Sequence, residues 1–328
     1  MLIPQIAKTF TQRLLQNGLA DAATAAVESL DIHIVKEEVR HGRRVVLKMH
    51  HELSEQICDS ANLYFGLADI PIRFFSKVAD WQRWEIDCFR MLNEPEFTAS
   101  PDGVNTVCAD KVPGESLWNH MKHGTLVRAM LEAAGRELRR AHSFHSSYFR
   151  GPWSHGDASM PNFIYDSASG KIRLIDFELA HDRSLSARVR HADDVLVFLL
   201  DMIGIVPARQ WLPFAICFLD AYGDQRVTDE LERLLVIPGG LARIWWNVRI
   251  NFARTAKVNR RLEQLRRVLQ LLRIQRVPAR RARHKRLPST SCQTTSPGMP
   301  SASSRTREMR ERASAVSPGM PSKLPTTR

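Results

Sequence analysis

Asp157, Asn162 and Asp176 are the residues in this chain whose types and spacing most plainly promise chemistry. They lie in the run His155-Gly156-Asp157-Ala-Ser-Met-Pro-Asn162, Phe163-Ile-Tyr165, Asp166-Ser-Ala-Ser-Gly170, Lys171–Ile175, Asp176-Phe177-Glu178. Two short apolar runs around a turn ending in Gly170 predict a β-hairpin. Counting outward from position 169 sets Asn162 opposite Asp176 at its open end. An amide oxygen and a carboxylate converging there, with Asp157 five residues upstream, form an oxygen-rich pocket suited to Mg²⁺ and phosphate chemistry. Asp and Asn are also common turn residues, so any one of the three alone carries little weight. All three on a strand–turn–strand frame carry more.

The pattern HGDxxxxN, a hydrophobic strand and IDFE resembles the catalytic core of the protein-kinase-like superfamily. The nearest likeness is to its aminoglycoside, sugar and lipopolysaccharide-core kinases and to small atypical Ser/Thr protein kinases. The resemblance covers roughly residues 45–200 and is most specific over 155–178. It implies a bilobal fold and ATP- and Mg²⁺-dependent transfer of a γ-phosphoryl group to a hydroxyl. On that basis Asp157 orients or deprotonates the acceptor, His155 supports the loop, and Asn162 and Asp176 hold Mg²⁺ against the ATP phosphates. An acidic residue opening the next helix braces the loop backbone in that family, which points to Asp194. Pro113-Gly114-Glu115-Ser116-Leu117 corresponds to the hinge that binds adenine, although a strand-to-helix turn capped by Ser116 explains the same residues.

Such a core also requires a lysine on a strand and a glutamate on a helix to position the phosphates. Val45-Val46-Leu47-Lys48 ends a strand. On the helix Asp80–Asn93, Trp81, Trp84, Cys88, Met91 and Leu92 form an apolar stripe, and at 100° per residue Glu85 falls inside it. A carboxylate turned inward needs a partner. Lys48 is the chosen partner, with Lys36, Lys77 and Lys111 as rivals; a strand-end lysine can also simply lay its stem over apolar surface.

The elements that must carry these residues follow from periodicity. Residues 4–30 predict a helix, and Ile32–Val39 and Arg44–Met49 predict strands joined at His41-Gly42. Val104–Val112 predicts a further strand and Leu126–Phe144 a helix. Ala192–Met202, Trp211–Tyr222 and Leu241–Gln275 predict helices, with Asp193 and Asp194 suiting a helix start through the dipole. The fold class is therefore α+β: a small mixed N-lobe over 1–115, a helical C-lobe over 116–275, and a disordered basic tail over 276–328.

The chain departs from the resembled family in three ways. No GxGxxG precedes Lys48. Gly156 stands where regulated kinases have an arginine, and no APE or long activation segment follows Asp176. Glu178 stands where regulated kinases have glycine, as in many small-molecule kinases. These departures favour a constitutively assembled enzyme whose first-choice acceptor is a lipopolysaccharide-core or other sugar. An atypical protein kinase fits nearly as well, and the missing glycine loop favours a pseudokinase without turnover.

The chain has 328 residues, 47 basic and 35 acidic, with hydrophobic residues at 44%. Collagen-like, wholly disordered and disulfide-stapled classes are thereby excluded. Five dispersed cysteines without CxxC argue for free thiols and against structural zinc, and the twelve histidines show no HExxH. No apolar run is long enough to cross a membrane, so a cytoplasmic location, peripheral at the inner membrane face, is expected. From Arg243 onward there are 21 basic and 3 acidic residues, which leaves the body at −6 and the arm at +18. Arg243, Arg249, Arg254, Lys257, Arg260, Arg261 and Arg266 predict a basic helix face. Its default reading is a solvated surface; the sharper ones are an anionic membrane surface or RNA phosphates as partner.

Overall fold

The computed structural model describes residues 33–284, with side chains to residue 273. The expected helix at 4–30 and the tail beyond 284 lie outside the described residues. The chain opens with the antiparallel hairpin β1 (His33–Arg40) and β2 (Arg43–His50). Its two-residue turn has His41 at φ 50° and Gly42 at φ 77°, the positive values a twisted hairpin favours. There follow α1 (Ser54–Leu67), β3 (Ile72–Phe74), α2 (Val78–Asn93), β4 (Ala99–Pro101) and β5 (Thr106–Asp110). Four strands form an antiparallel sheet in the order β1-β2-β5-β4. Strand periodicity puts Lys48 and His50 on the same face of β2, and there they meet α2.

The second half is helical. After β6 (Glu115–Ser116) come α3 (Leu117–Lys122), α4 (Arg128–Ala141), and the short pair β7 (His145–Ser146) and β8 (Gly151–Pro152). The hairpin β9 (Phe163–Asp166) and β10 (Lys171–Leu174) pairs with β6, and β11 (Leu179–His181) pairs with β3. The helices α5 (Ala187–Ile205), α6 (Ala208–Tyr222), α7 (Gln225–Leu234), α8 (Ala242–Arg249) and α9 (Thr255–His284) complete the described chain. The architecture is thus α+β, sheet-rich first and helical after, and compact contacts continue through Ala279. No helix among the described residues is long and apolar enough to cross a membrane.

α5 organises the helical part. Asp194 and every residue from Val195 to Ile203 are buried, a helix apolar nearly all round and therefore central. It starts at Ala187 behind the Ser186 cap, five residues before the expected start, so Asp193 and Asp194 lie inside it rather than at its N-terminus. The expected helix 241–275 is two helices, because Asn251 and Phe252 take left-handed φ of 49° and 53° and end α8. α9 then continues past Gln275 to His284, into residues expected to belong to the tail.

Candidate functional site

The loop carrying Asp157 is shaped from both sides. Gly156 has φ 89°, and a Cβ there would lie 2.8 Å from the Leu179 carbonyl oxygen, so only glycine lets the loop pass β11. Asp194, fully enclosed, accepts hydrogen bonds from the backbone N–H of His155 at 2.8 Å and of Gly156 at 2.9 Å. His142 Nε2 lies 3.0 Å from the same carboxylate. Two turns further along α5, Asp201 accepts from the Met160 N–H at 2.6 Å and from Asn251 Nδ2 at 3.2 Å. The loop is therefore held before Asp157 and after it by carboxylates of one helix. His155 is enclosed and reaches the Ile175 carbonyl oxygen at 3.2 Å, tying the loop to the strand before Asp176, so its contribution is positional.

A short 3₁₀ turn, Met160–Asn162, then delivers Asn162. Its Nδ2 donates to the Asp157 carbonyl oxygen at 2.9 Å and to Asp157 Oδ2 at 3.2 Å, which turns Oδ1 away from these acceptors. The hairpin register differs from the expected one by a residue: Phe163 pairs with Leu174, so Asn162 faces Ile175, whose N–H reaches its carbonyl at 3.1 Å. The turn spans four residues, with Gly170 N–H on the Asp166 carbonyl, which moves the centre from 169 to between 168 and 169. Asp176 follows one residue past the pair in a left-handed conformation, φ 67°, a strained backbone that few non-glycine residues adopt.

Lys48 joins the two halves. Its Nζ contacts Asp176 Oδ1 directly, lies 2.9 Å from Glu178 and 3.4 Å from Glu85. Glu85 is 6% exposed within the buried stripe of α2, and its Oε2 also accepts from the Phe177 N–H at 3.1 Å. The rivals are elsewhere: Lys36 and Lys77 are exposed, and Lys111 pairs with Glu37 on the surface. Glu178, which the sequence reading treated only as a departure, is a full member of the site. His33 Nδ1 holds it at 2.7 Å, and His33 in turn stacks on Trp81 with centroids 4.5 Å apart. No local signal predicts a bond spanning 145 residues.

Charge here is strongly unbalanced. Burial, and next the charge of Asp176, push Asp157 up to about 6, with Arg249 opposing. Burial pushes Glu85 up to about 7 despite Lys48, and burial followed by Glu178 raises Asp176. For Glu178 burial is outweighed by Lys48 and His33, which hold it below the usual carboxylate range. Lys48 is raised well above its ordinary value because three carboxylates overcome its desolvation, and burial pushes His155 down to about 4, so it is neutral. Three carboxylates share one lysine and Asp157 adds its charge nearby, an environment that favours a further cation. Among the described residues no three His, Cys, Asp or Glu side chains converge to hold a metal unaided. Mg²⁺ binds through one or two protein oxygens, waters and substrate phosphates, so Asp176 with Asn162 Oδ1 fits it.

The hinge segment is close-packed. Gly114, φ 114°, would place a Cβ 2.2 Å from the Tyr165 carbonyl oxygen, and Ser116 does cap α3 through the Asn119 N–H. The basic helix face is largely turned inward, contrary to expectation. Arg249 makes a bidentate pair with Asp193, both bonds 2.9 Å. Lys257 donates to the Gly204 carbonyl at 2.6 Å, and Arg261 to those of Ile203 and Val206 at 2.6 and 2.7 Å. Lys257 and Arg261 thereby satisfy carbonyls left open at the end of α5. Arg254 and Arg260 stay exposed.

No family model and no curated protein matches the chain. Among solved structures, the complex of Rv3197 with erythromycin from Mycobacterium tuberculosis aligns over 80% of this chain and 84% of that one, at 12% identity and a TM-score of 0.35. The functional reading rests on the geometry of the site.

Proposed function

We propose that this protein is an ATP- and Mg²⁺-dependent phosphotransferase of the protein-kinase-like superfamily that transfers a γ-phosphoryl group to a hydroxyl. The observation that carries the reading is Lys48, buried and shared by Glu85, Asp176 and Glu178, beside a loop on which Asp157 and Asn162 stand five residues apart. Bound Mg²⁺·ATP supplies the phosphoryl group and the charge neutralisation that its transfer requires. Lys48 supplies positive charge for the phosphates, and Glu85 fixes its direction. Asp176 and Asn162 Oδ1 are the ligands for the ion, and the left-handed backbone of Asp176 presets its carboxylate. Asp157, poised near pH 6, orients the acceptor hydroxyl and takes its proton. A sugar or lipid-linked sugar is the first-choice acceptor, because Gly156 and Glu178 carry no provision for a phosphorylated activation segment.

One observation favours a second reading, nucleotide binding without turnover. The β1–β2 connection is a two-residue turn, with no glycine loop to enclose phosphates. Labelled ATP added to a cell extract with the protein, followed by separation of lipid, small-molecule and protein fractions, distinguishes the two. The expected result is label in the lipid or small-molecule fraction, abolished by Asp176→Ala. Asp157→Ala should bind ATP yet fail to transfer. Wild-type turnover by both variants would overturn the residue assignment, and bound ATP without any labelled product would establish the second reading.

A further inference from the structure

Away from Lys48, an open cavity of about 850 Å³ lies between the end of α4, the start of α5 and the start of α7. Its lining includes five arginines, Arg136, Arg139, Arg140, Arg188 and Arg226, against the single carboxylate of Asp224. Arg139 pairs with that Asp224. Arg140 and Arg188 pair with Glu137 and Glu230, and Arg136 lies 3.9 Å from Glu132; none of these three carboxylates lines the cavity. Such a pair engages at most two of the five guanidinium donors and fixes the orientation of the rest. Arg226 forms no ion pair among the described residues.

Two helices begin here. Ser186, Ala187 and Arg188 open α5, so the positive end of a 19-residue helix faces the cavity, whereas the start of α7 is already capped by the Asp224 carboxylate, which accepts from the Arg226 and Val227 N–H groups. The negative end of α4 is also near, and Arg139 and Arg140 lie in its last turn. An independent feature is His191, 6% exposed and part of the lining. Its Nε2 donates to the Trp153 carbonyl at 2.8 Å, which leaves Nδ1 as a lone-pair acceptor with no partner among the described residues. Burial, then His142, hold it neutral by pushing its pKa down to about 3. Arginines and a helix start call for an anion, whereas a neutral acceptor at the cavity wall calls for a hydroxyl donor.

We infer that this cavity binds a hydroxylated phosphomonoester, a small molecule of the sugar-phosphate class. Its phosphate lies among Arg188, Arg226 and the start of α5, and a hydroxyl donates to His191 Nδ1. The volume is in the range of small-molecule sites, several times that of a phosphate alone. This site is separate from the phosphotransfer centre, and its existence does not depend on that reading.

The test is a titration of the full chain, with labelled histidines, by glycerol 3-phosphate, inorganic phosphate and glycerol, followed by NMR of the His191 ring. Glycerol 3-phosphate should give a saturable shift, inorganic phosphate a weaker one, and glycerol none. Arg188→Ala with Arg226→Ala, both exposed and tolerated by the fold, should raise the Kd at least tenfold. Lys48→Met should leave it unchanged. Absence of a saturable shift, or an affinity indifferent to the arginine substitutions but lost in Lys48→Met, would overturn the site. Equal affinity for inorganic phosphate and glycerol 3-phosphate would overturn the hydroxyl assignment.

Discussion

Replacing Lys48 by methionine keeps the side-chain length and removes the one cation shared by Glu85, Asp176 and Glu178. Asp176 and Glu178 have side chains 39% and 27% exposed and can turn toward water, but Glu85 at 8% cannot. Removing one partner of a buried ion pair costs about 3–5 kcal/mol when the other stays charged, and a carboxylate that protonates instead escapes part of that cost. The cost must depend on pH. In the intact protein Glu85 titrates at about 7, above its ordinary value. Between the two values it is neutral when folded and charged when unfolded, so its contribution makes stability fall as pH rises through that window. Without Lys48 the folded value moves higher still, and the fall extends through pH 8. One further pH unit is worth about 1.4 kcal/mol. Urea unfolding of wild type and Lys48→Met at pH 5.5 and 8 should show a deficit larger by about 1.4 kcal/mol at pH 8 than at pH 5.5, where Glu85 is neutral in both folded proteins. An equal deficit at both pH values, or one under about 1 kcal/mol at pH 8, would refute the pairing with Glu85.

If Asp157 is the acceptor base, kcat/KM should rise with pH through about 6, because it works only when deprotonated; an acid limb centred near 4 would contradict its raised pKa. Asp194→Ala orphans two backbone donors and His142, and should cost about 3–5 kcal/mol of stability, whereas Asp194→Asn should retain part of that, by calorimetry. Gly156→Ala would force a Cβ to 2.8 Å from a backbone oxygen at φ 89°, and should lose transfer activity while the Asp176 side still binds nucleotide.

What the sequence disclosed is what lies within one element or one loop. The hairpin with its His41-Gly42 turn, the inward Glu85 in an apolar stripe, and the contact of Asp157 with Asn162 on one loop all follow from spacing over a few residues. The one-residue error in the β9–β10 register came from the turn, whose four-residue form is set by Gly170 at positive φ. α1 was missed because only Ser54, Cys58 and Phe65 along its length are buried, too sparse a stripe to detect. Glu178 with His33, Asp201 with Asn251 and Arg249 with Asp193 are pairs made by folding, between residues that periodicity treats as unrelated. The basic face failed for the same reason: a row of arginines looks alike whether it meets solvent or the open carbonyls of a neighbouring helix.

Asp194 and Asp201 are seven residues apart on α5, about 10.5 Å along its axis and nearly in line around it. Because they grip the loop on both sides of Asp157, the helix serves as a ruler against which the loop is cut to length. Apolar exchanges between Val195 and Leu200 leave the graduations in place. A single inserted residue turns Asp201 by about 100° and carries it about 1.5 Å onward, away from Met160. The tolerance of this stretch is therefore set by its count of residues more than by their identity, and engineering that varies the composition of α5 has far more freedom than engineering that varies its length.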